Sequence, residues 1–232
     1  MKPNILITGA TSGIGAALAA RYAGRAELLL AGRMPELEAM PILPANAHYV
    51  VADQSAPEVA ASNIMAALDL LGWESLDLAV LNAGSGWSGD PASEPAGSIR
   101  NTLEANLVAA IALAYGLSPL LSGGRLVLIG STARRGAPLF ASYAAAKAGL
   151  DGLARSLAEE WRGRTKVQVI HPGPVRTDIH AKAGFDPGRA RRFFTSPETM
   201  ARLLERALAS RRSRRTISFP RYLAAAVTPW LR

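Results

Sequence analysis

Cysteine is absent from the 232 residues, which excludes a disulfide framework, thiolate metal sites and a cysteine nucleophile. Long apolar runs are missing too: none reaches the ~18–20 uninterrupted residues of a membrane span. The opening, MKPNILITGA, lacks the pattern of a secretory leader, and a cytoplasmic location is the expectation. Histidine is scarce, with three in all. His48 and His171 have no partners at metal-ligand spacing, so both read as structural and no metal is expected. Repeats, low-complexity tracts and domain linkers are lacking as well.

Over most of the chain there is also no net charge. Residues 1–185 hold 15 basic and 15 acidic side chains, whereas residues 186–232 hold 11 arginines and three acids, Asp186, Glu198 and Glu205. The formal +8 therefore belongs entirely to the end of the chain. A nucleic-acid surface is the pointed interpretation of such an asymmetry. No aromatic-basic interleaving or binding motif accompanies it, so nucleic acid is not an expected partner. A solvated helix face and an arginine-rich turn is the plainer interpretation.

What is present is a 49% hydrophobic chain with 21 Gly and 15 Pro, long enough for one large domain over residues 1–232. Short apolar runs fall at residues 4–8, 27–31, 47–51, 76–81, 125–129, 166–170 and 216–219. Helical stretches lie between most of them: after the first run to about Gly24, then at about 56–71, 98–119, 141–162 and 197–209. Between the second and third runs, Pro35, Pro41 and Pro44 leave room for little helix. This alternation predicts a doubly wound α/β domain, a seven-stranded parallel sheet with helices on both faces. Ligands bind such sheets beyond the carboxyl ends of the strands, so the residues just after each run are the candidates for chemistry.

The first run leads into Thr8-Gly9-Ala10-Thr11-Ser12-Gly13-Ile14-Gly15. Glycines there let the backbone turn tightly and approach a pyrophosphate, with the next helix N-terminus turned toward its charge. The context, a strand before and a helix after, points to dinucleotide binding. The second run ends Leu30-Ala31-Gly32-Arg33. An acid at this place suits the ribose hydroxyls of NAD(H) and an Arg the 2′-phosphate of NADP(H), so Arg33 favours NADP(H), with NAD(H) still open. Asp53, after the third run, suits either an adenine amine or the start of the next helix. Asn82-Ala83-Gly84, after the fourth, combines an Asn able to brace strand ends with small residues that leave room for a cofactor.

Beyond the fifth run comes Ser131, and then Tyr143-Ala144-Ala145-Ala146-Lys147. Residues i and i+4 of a helix share one face, so Tyr143 and Lys147 are neighbours. A free tyrosine titrates near ~10, too high for an efficient acid-base at neutral pH, and a fixed ammonium beside it lowers that value. Ser131 is placed to hold a substrate oxygen while Tyr143 moves the proton.

Taken together, Thr8-Gly9-x-x-x-Gly13-x-Gly15, Asn82-Ala83-Gly84, Ser131 with Tyr143-x-x-x-Lys147, and Pro172-Gly173-Pro174-Val175-Arg176-Thr177 resemble the short-chain dehydrogenase/reductase family in its compact, single-domain form, over roughly residues 4–220. The resemblance implies a Rossmann-type fold and hydride transfer between nicotinamide C4 and a small-molecule carbonyl or alcohol. It also implies roles. Tyr143 is the acid-base, and Lys147 lowers its pKa and bonds the nicotinamide ribose. Ser131 orients the substrate, and Asn106 supports a water-mediated relay to the lysine. Pro172, Gly173, Val175 and Thr177 lie along the nicotinamide. One departure is Leu81, where many members carry a second Asn. A homodimer or homotetramer is implied as well. The rival interpretation is a non-catalytic NADP(H)-binding sensor or scaffold, against which the full set Asn106, Ser131, Tyr143 and Lys147 argues.

Residues 178–195, with His180, Phe185, Phe193 and Phe194 among Arg189, Arg191 and Arg192, are expected to form a substrate loop that continues into a lid helix ending near 209. Ser196-Pro197-Glu198 opens that helix, and Met200, Leu203, Leu204 and Leu208 make its core stripe. Arg211, Arg212, Arg214 and Arg215 precede the last run. The tail, residues 222–231, is too short to span a bilayer. With Arg221, Trp230 and Arg232 it suits either a partner subunit or peripheral contact with an anionic membrane.

Overall fold

The computed structural model describes residues 2–35, 43–210 and 212–218. Its apolar runs become β1 (Asn4–Thr8), β2 (Glu27–Gly32), β3 (Ala47–Val51), β4 (Leu78–Leu81), β5 (Arg125–Ile129), β6 (Lys166–Pro172) and β7 (Arg214–Ile217). All pair in parallel in one sheet of order β3-β2-β1-β4-β5-β6-β7. The order reverses between β1 and β4, and a crevice opens there beyond the strand ends.

Helices cover both faces. On one, α2 (Pro57–Leu70), α4 (Ala109–Leu117) and α5 (Ala141–Glu160) pack on Leu6, Leu29, Leu126 and Leu128. On the other, α1 (Gly13–Tyr22) and α7 (Pro197–Leu208) close over Ile7, Leu28, Val127 and Ile170. The inner strands are buried on both sides, which is why they read as unbroken apolar runs rather than alternating ones. Two further helices, α3 (Ala96–Leu103) and the short α6 (Ile179–Lys182), lie at the carboxyl edge.

Several boundaries differ from expectation, β6 for instance running two residues further, to Pro172. The stretch 98–119 is not one helix: α3 passes through a π turn, Glu104–Val108, before α4 begins. The fourth run starts two residues late, because Leu76 joins the core from the preceding turn, its N–H bonding Leu120 O. The last strand begins two residues early, its register set by Val169 opposite Arg214 and Pro172 opposite Ile217. As an edge strand it carries Arg214 and Thr216 on its exposed positions, and a charge there blunts edge pairing. In α7 the stripe is Met200, Ala201, Leu204, Ala207 and Leu208, with Leu203 only half-buried. Pro41, Arg211, Phe219 and the tail from Arg221 to Arg232 lie outside the described residues.

Candidate active site

At the switch point the site is built from backbone. Gly9 (φ +63°) and Gly13 (φ +55°) hold left-handed conformations. A Cβ on Gly9 would lie 2.8 Å from Ala83 Cα, and one on Gly15 would drive into the carbonyl oxygen of Gly9. The loop is folded so tightly on itself and on the end of β4 that only hydrogen fits. Asn82 locks that contact: its Nδ2 donates to the carbonyls of Thr8 (3.1 Å) and Gly9 (3.2 Å), while Thr8 Oγ1 accepts from the N–H groups of Asn82 and Ala83. Ser12 precedes α1 without a side-chain cap, and no acid stands in the first turn. The first amides of α1, with Thr11, Ser12 and Ile14 around them, are thus left for an anion. By contrast, Ser196 caps α7 by accepting from Thr199 N.

Arg33 is exposed at the end of β2, beyond Gly32, where a Cβ would meet Thr11 and Tyr49 at 2.5 Å. Asp53 is exposed after β3, and its carboxylate takes the N–H and hydroxyl of Ser55 in a local turn, two residues short of α2. Its neighbour Gln54, which the sequence did not single out, is the one that turns inward.

The candidate reacting residues come from the turn after β5, the π turn and α5. Asn106 sits in the wide turn, buried, its Nδ2 donating to Thr102 O (2.8 Å) and Ser85 O (2.6 Å). Its Oδ1 faces Gly84 and has no partner among the described residues. Such an insertion turns a side chain out of helical register, a common device at functional sites. Lys147 lies on the buried face of α5 and donates to the carbonyl of Ile129, the last residue of β5 (2.9 Å). Burial drags its pKa down to about 8. Ser131 caps a 3-10 turn, Thr132–Arg135, by accepting from Ala133 N at 3.1 Å.

Tyr143, one turn before Lys147, differs from expectation in one respect. Desolvation raises the pKa of its phenol, and a hydrogen bond with Ser131 works only in part against that. The Lys147 ammonium stands 5.7 Å from the ring centroid and spends its hydrogen bond on Ile129. The lowering by lysine expected from the sequence is therefore not present in this arrangement.

The strand after Lys166 delivers Pro172, Gly173, Val175 and Thr177 to the same edge. Gly173 N bonds Ile217 O, Val175 is buried and bridges Thr195, and the Thr177 methyl presses on Gly13, where a Cβ would lie 2.8 Å away. Beyond Thr177, α6 and a 3-10 turn, Gly188–Phe193, surround a cavity of about 300 Å³ lined by Arg176, His180, Phe185, Arg191 and Phe194. A chain of rings leads from it toward Tyr143: His180 to Phe185 (6.0 Å), Phe185 to Phe140 (5.2 Å), Phe140 to Tyr143 (6.4 Å). His48 is exposed on β3, whereas His171 is fully buried against Asp151. That pairing was not legible, because its partners lie far apart along the chain. No group of three or more His, Asp or Glu side chains could hold a metal among the described residues, nor is any described helix long and apolar enough to cross a membrane.

The glycine loop, Asn82-Ala83-Gly84, Asn106, Ser131, Tyr143, Lys147 and the segment from Pro172 to Thr177 thus share one edge, with Arg33 and Asp53 at its periphery. Known proteins share the fold. The profile of the short chain dehydrogenase family matches residues 3–187, and the chain belongs to that family. An uncharacterized oxidoreductase of Mycobacterium tuberculosis is 33% identical over 205 residues, 78% of this chain and 77% of that one. A short-chain dehydrogenase of Sphingobium yanoikuyae, solved with NADPH, superposes with a TM-score of 0.76 at 25% identity, covering 98% of this chain and 92% of that one. A second, from Shigella flexneri with NADP, gives 0.78 at 25% identity over 93% and 96%.

Proposed function

We propose that this chain is an NADP(H)-dependent oxidoreductase that interconverts a carbonyl and an alcohol on a small molecule, with Tyr143 as acid-base. The convergence of Tyr143, Ser131 and Lys147 beside an uncapped helix N-terminus carries the proposal. The pocket fits a dinucleotide: the loop around Gly9, Gly13 and Gly15 leaves backbone amides bare where any Cβ would collide. Solved relatives with NADPH or NADP support the same assignment.

In that assignment the first turn of α1 holds the pyrophosphate and Arg33 the 2′-phosphate, while Asp53 lies at the adenine end. Asn82, Ala83 and Gly84 form the floor. Lys147 bonds the nicotinamide ribose, and Pro172, Gly173, Val175 and Thr177 hold the carboxamide. When bound, the cofactor supplies the hydride chemistry. The chain supplies the rest. Ser131 holds the substrate oxygen, and Tyr143, kept protonated by burial, delivers its proton as charge develops on that oxygen. Asn106, behind Lys147, supports the relay that returns a proton to Tyr143. The aromatic cavity of residues 176–194 takes the remainder of the substrate and excludes water.

NADPH oxidation with a panel of aldehydes, ketones and quinones tests the proposal, turnover on at least one member being expected. Tight NADPH binding without turnover on any would overturn it. Tyr143→Phe should lower kcat by about 10²–10⁴-fold and leave NADPH affinity unchanged. A mutant as fast as the wild type would remove Tyr143 from its role.

A further inference from the structure

The buried face of α5 carries a second charged residue one turn beyond Lys147. It is Asp151, which with Lys147 interrupts a buried face otherwise made of Ala144, Ala146, Leu150, Ala154 and Leu157. Its carboxylate joins two other segments. Oδ2 accepts from Arg134 Nη1 at 2.8 Å, and Oδ1 from His171 Nε2 at 3.0 Å. Arg214, on the edge strand, stands 4.0 Å from Oδ1.

Each partner belongs to a segment that carries part of the site. Arg134 lies in the 3-10 turn capped by Ser131. His171 is the residue before Pro172 and is fully buried, with its ring against Gly130 at the end of β5. Burial lowers the His171 pKa and holds the ring neutral, so that it donates from Nε2 to the carboxylate. None of the four residues of the 3-10 turn is buried. Arg134, whose side chain is only 13% exposed, ties this half-buried turn to the buried face of α5.

We propose that Asp151 is a positioning residue. By holding Arg134 and His171 together, it fixes the turn that bears Ser131 against the helix that bears Tyr143 and Lys147, and so sets where the Ser131 hydroxyl stands relative to Tyr143. The proposal rests on the roles given above to Ser131 and Tyr143. A buried pair of this kind adds little to stability relative to apolar packing, but it fixes geometry, and catalysis is sensitive to displacements of about 1 Å.

The test uses the full chain with NADPH and a carbonyl that it reduces. Asp151→Asn should lower kcat about 10- to 100-fold while NADPH affinity stays within about twofold. In a Ser131→Ala background the same change should cost almost nothing further, because the group it positions is gone. A lowered Tm with kcat preserved, or a full additional loss in the Ser131→Ala background, would overturn the proposal, since both describe a merely structural residue. Arg134→Gln carries the same comparisons should Asp151→Asn fail to fold. If no carbonyl is turned over, the oxidoreductase assignment falls but Asp151 is still judged, by 13Cζ-tyrosine NMR. The Tyr143 signal, identified by its loss in Tyr143→Phe, should shift with Asp151→Asn as it does with Ser131→Ala. A signal moved by Ser131→Ala alone overturns the positioning role.

Discussion

The two halves of the sheet's carboxyl edge are made by opposite means. Around β1, β2 and β4 the walls are backbone: glycines pressed on carbonyls, an uncapped helix start, and one Asn stitching two strand ends. Around β5 and β6 the walls are buried charge: Lys147 on a strand carbonyl, and Asp151 between Arg134 and His171. The first half must leave room and exposed amides for a large anion. The second must hold individual atoms in place and keep water from them. Steric exclusion is therefore the vulnerability of one half, and desolvation or lost positioning that of the other.

The largest effect that would break this contrast is on the glycine side. Gly15→Ala places a methyl on the Gly9 carbonyl, and should cost about 3 kcal/mol in urea unfolding together with NADPH binding. A variant that binds NADPH normally would show that the loop yields. On the other side, Gly130→Ala pushes a methyl into the His171 ring. We expect a loss of about 2 kcal/mol, with kcat falling while NADPH affinity holds. Loss of cofactor binding instead would mean that the two halves are not separable.

Lys147 tests the desolvation half by pH. Its pKa is about 8 in the folded protein against the ordinary 10.5, so between those values the unfolded chain binds more protons and stability rises with pH. Without added cofactor, the wild type should gain roughly 3 kcal/mol relative to Lys147→Met as pH climbs through that window. A flat difference would show that the ammonium is solvated. The smallest effect belongs to Arg33, exposed and remote from the chemistry. Arg33→Asp should move coenzyme preference toward NADH by about tenfold, measured as the ratio of kcat/KM values, and an unchanged ratio removes its assignment.

Much of the glycine half was legible because its signals are local. A strand, a glycine loop and a helix follow one another along the chain, and Tyr143 and Lys147 share a face by their spacing alone. Asn106 was legible as a residue but not as a geometry, since the π turn depends on Ser85 and Thr102 accepting from its side chain. Asp53 was ambiguous, and its carboxylate closes a turn with Ser55. Asp151 left one readable trace, an acid on a helix face otherwise apolar. Its partners did not, because Arg134 and His171 reach it only once β5, β6 and α5 are packed.

The amino-acid sequence by itself determined the alternation of strands and helices, the parallel sheet, the glycine loop and the pairing of Tyr143 with Lys147 on one helix face. Each of these follows from the conformational limits and spacing of near neighbours. Only the tertiary structure decided which charges are buried and how the serine turn is tethered. It alone also set the titration of Tyr143 and Lys147 and enclosed the cavity beyond Thr177. Those properties depend on what surrounds an atom in space, and desolvation has no counterpart along the chain.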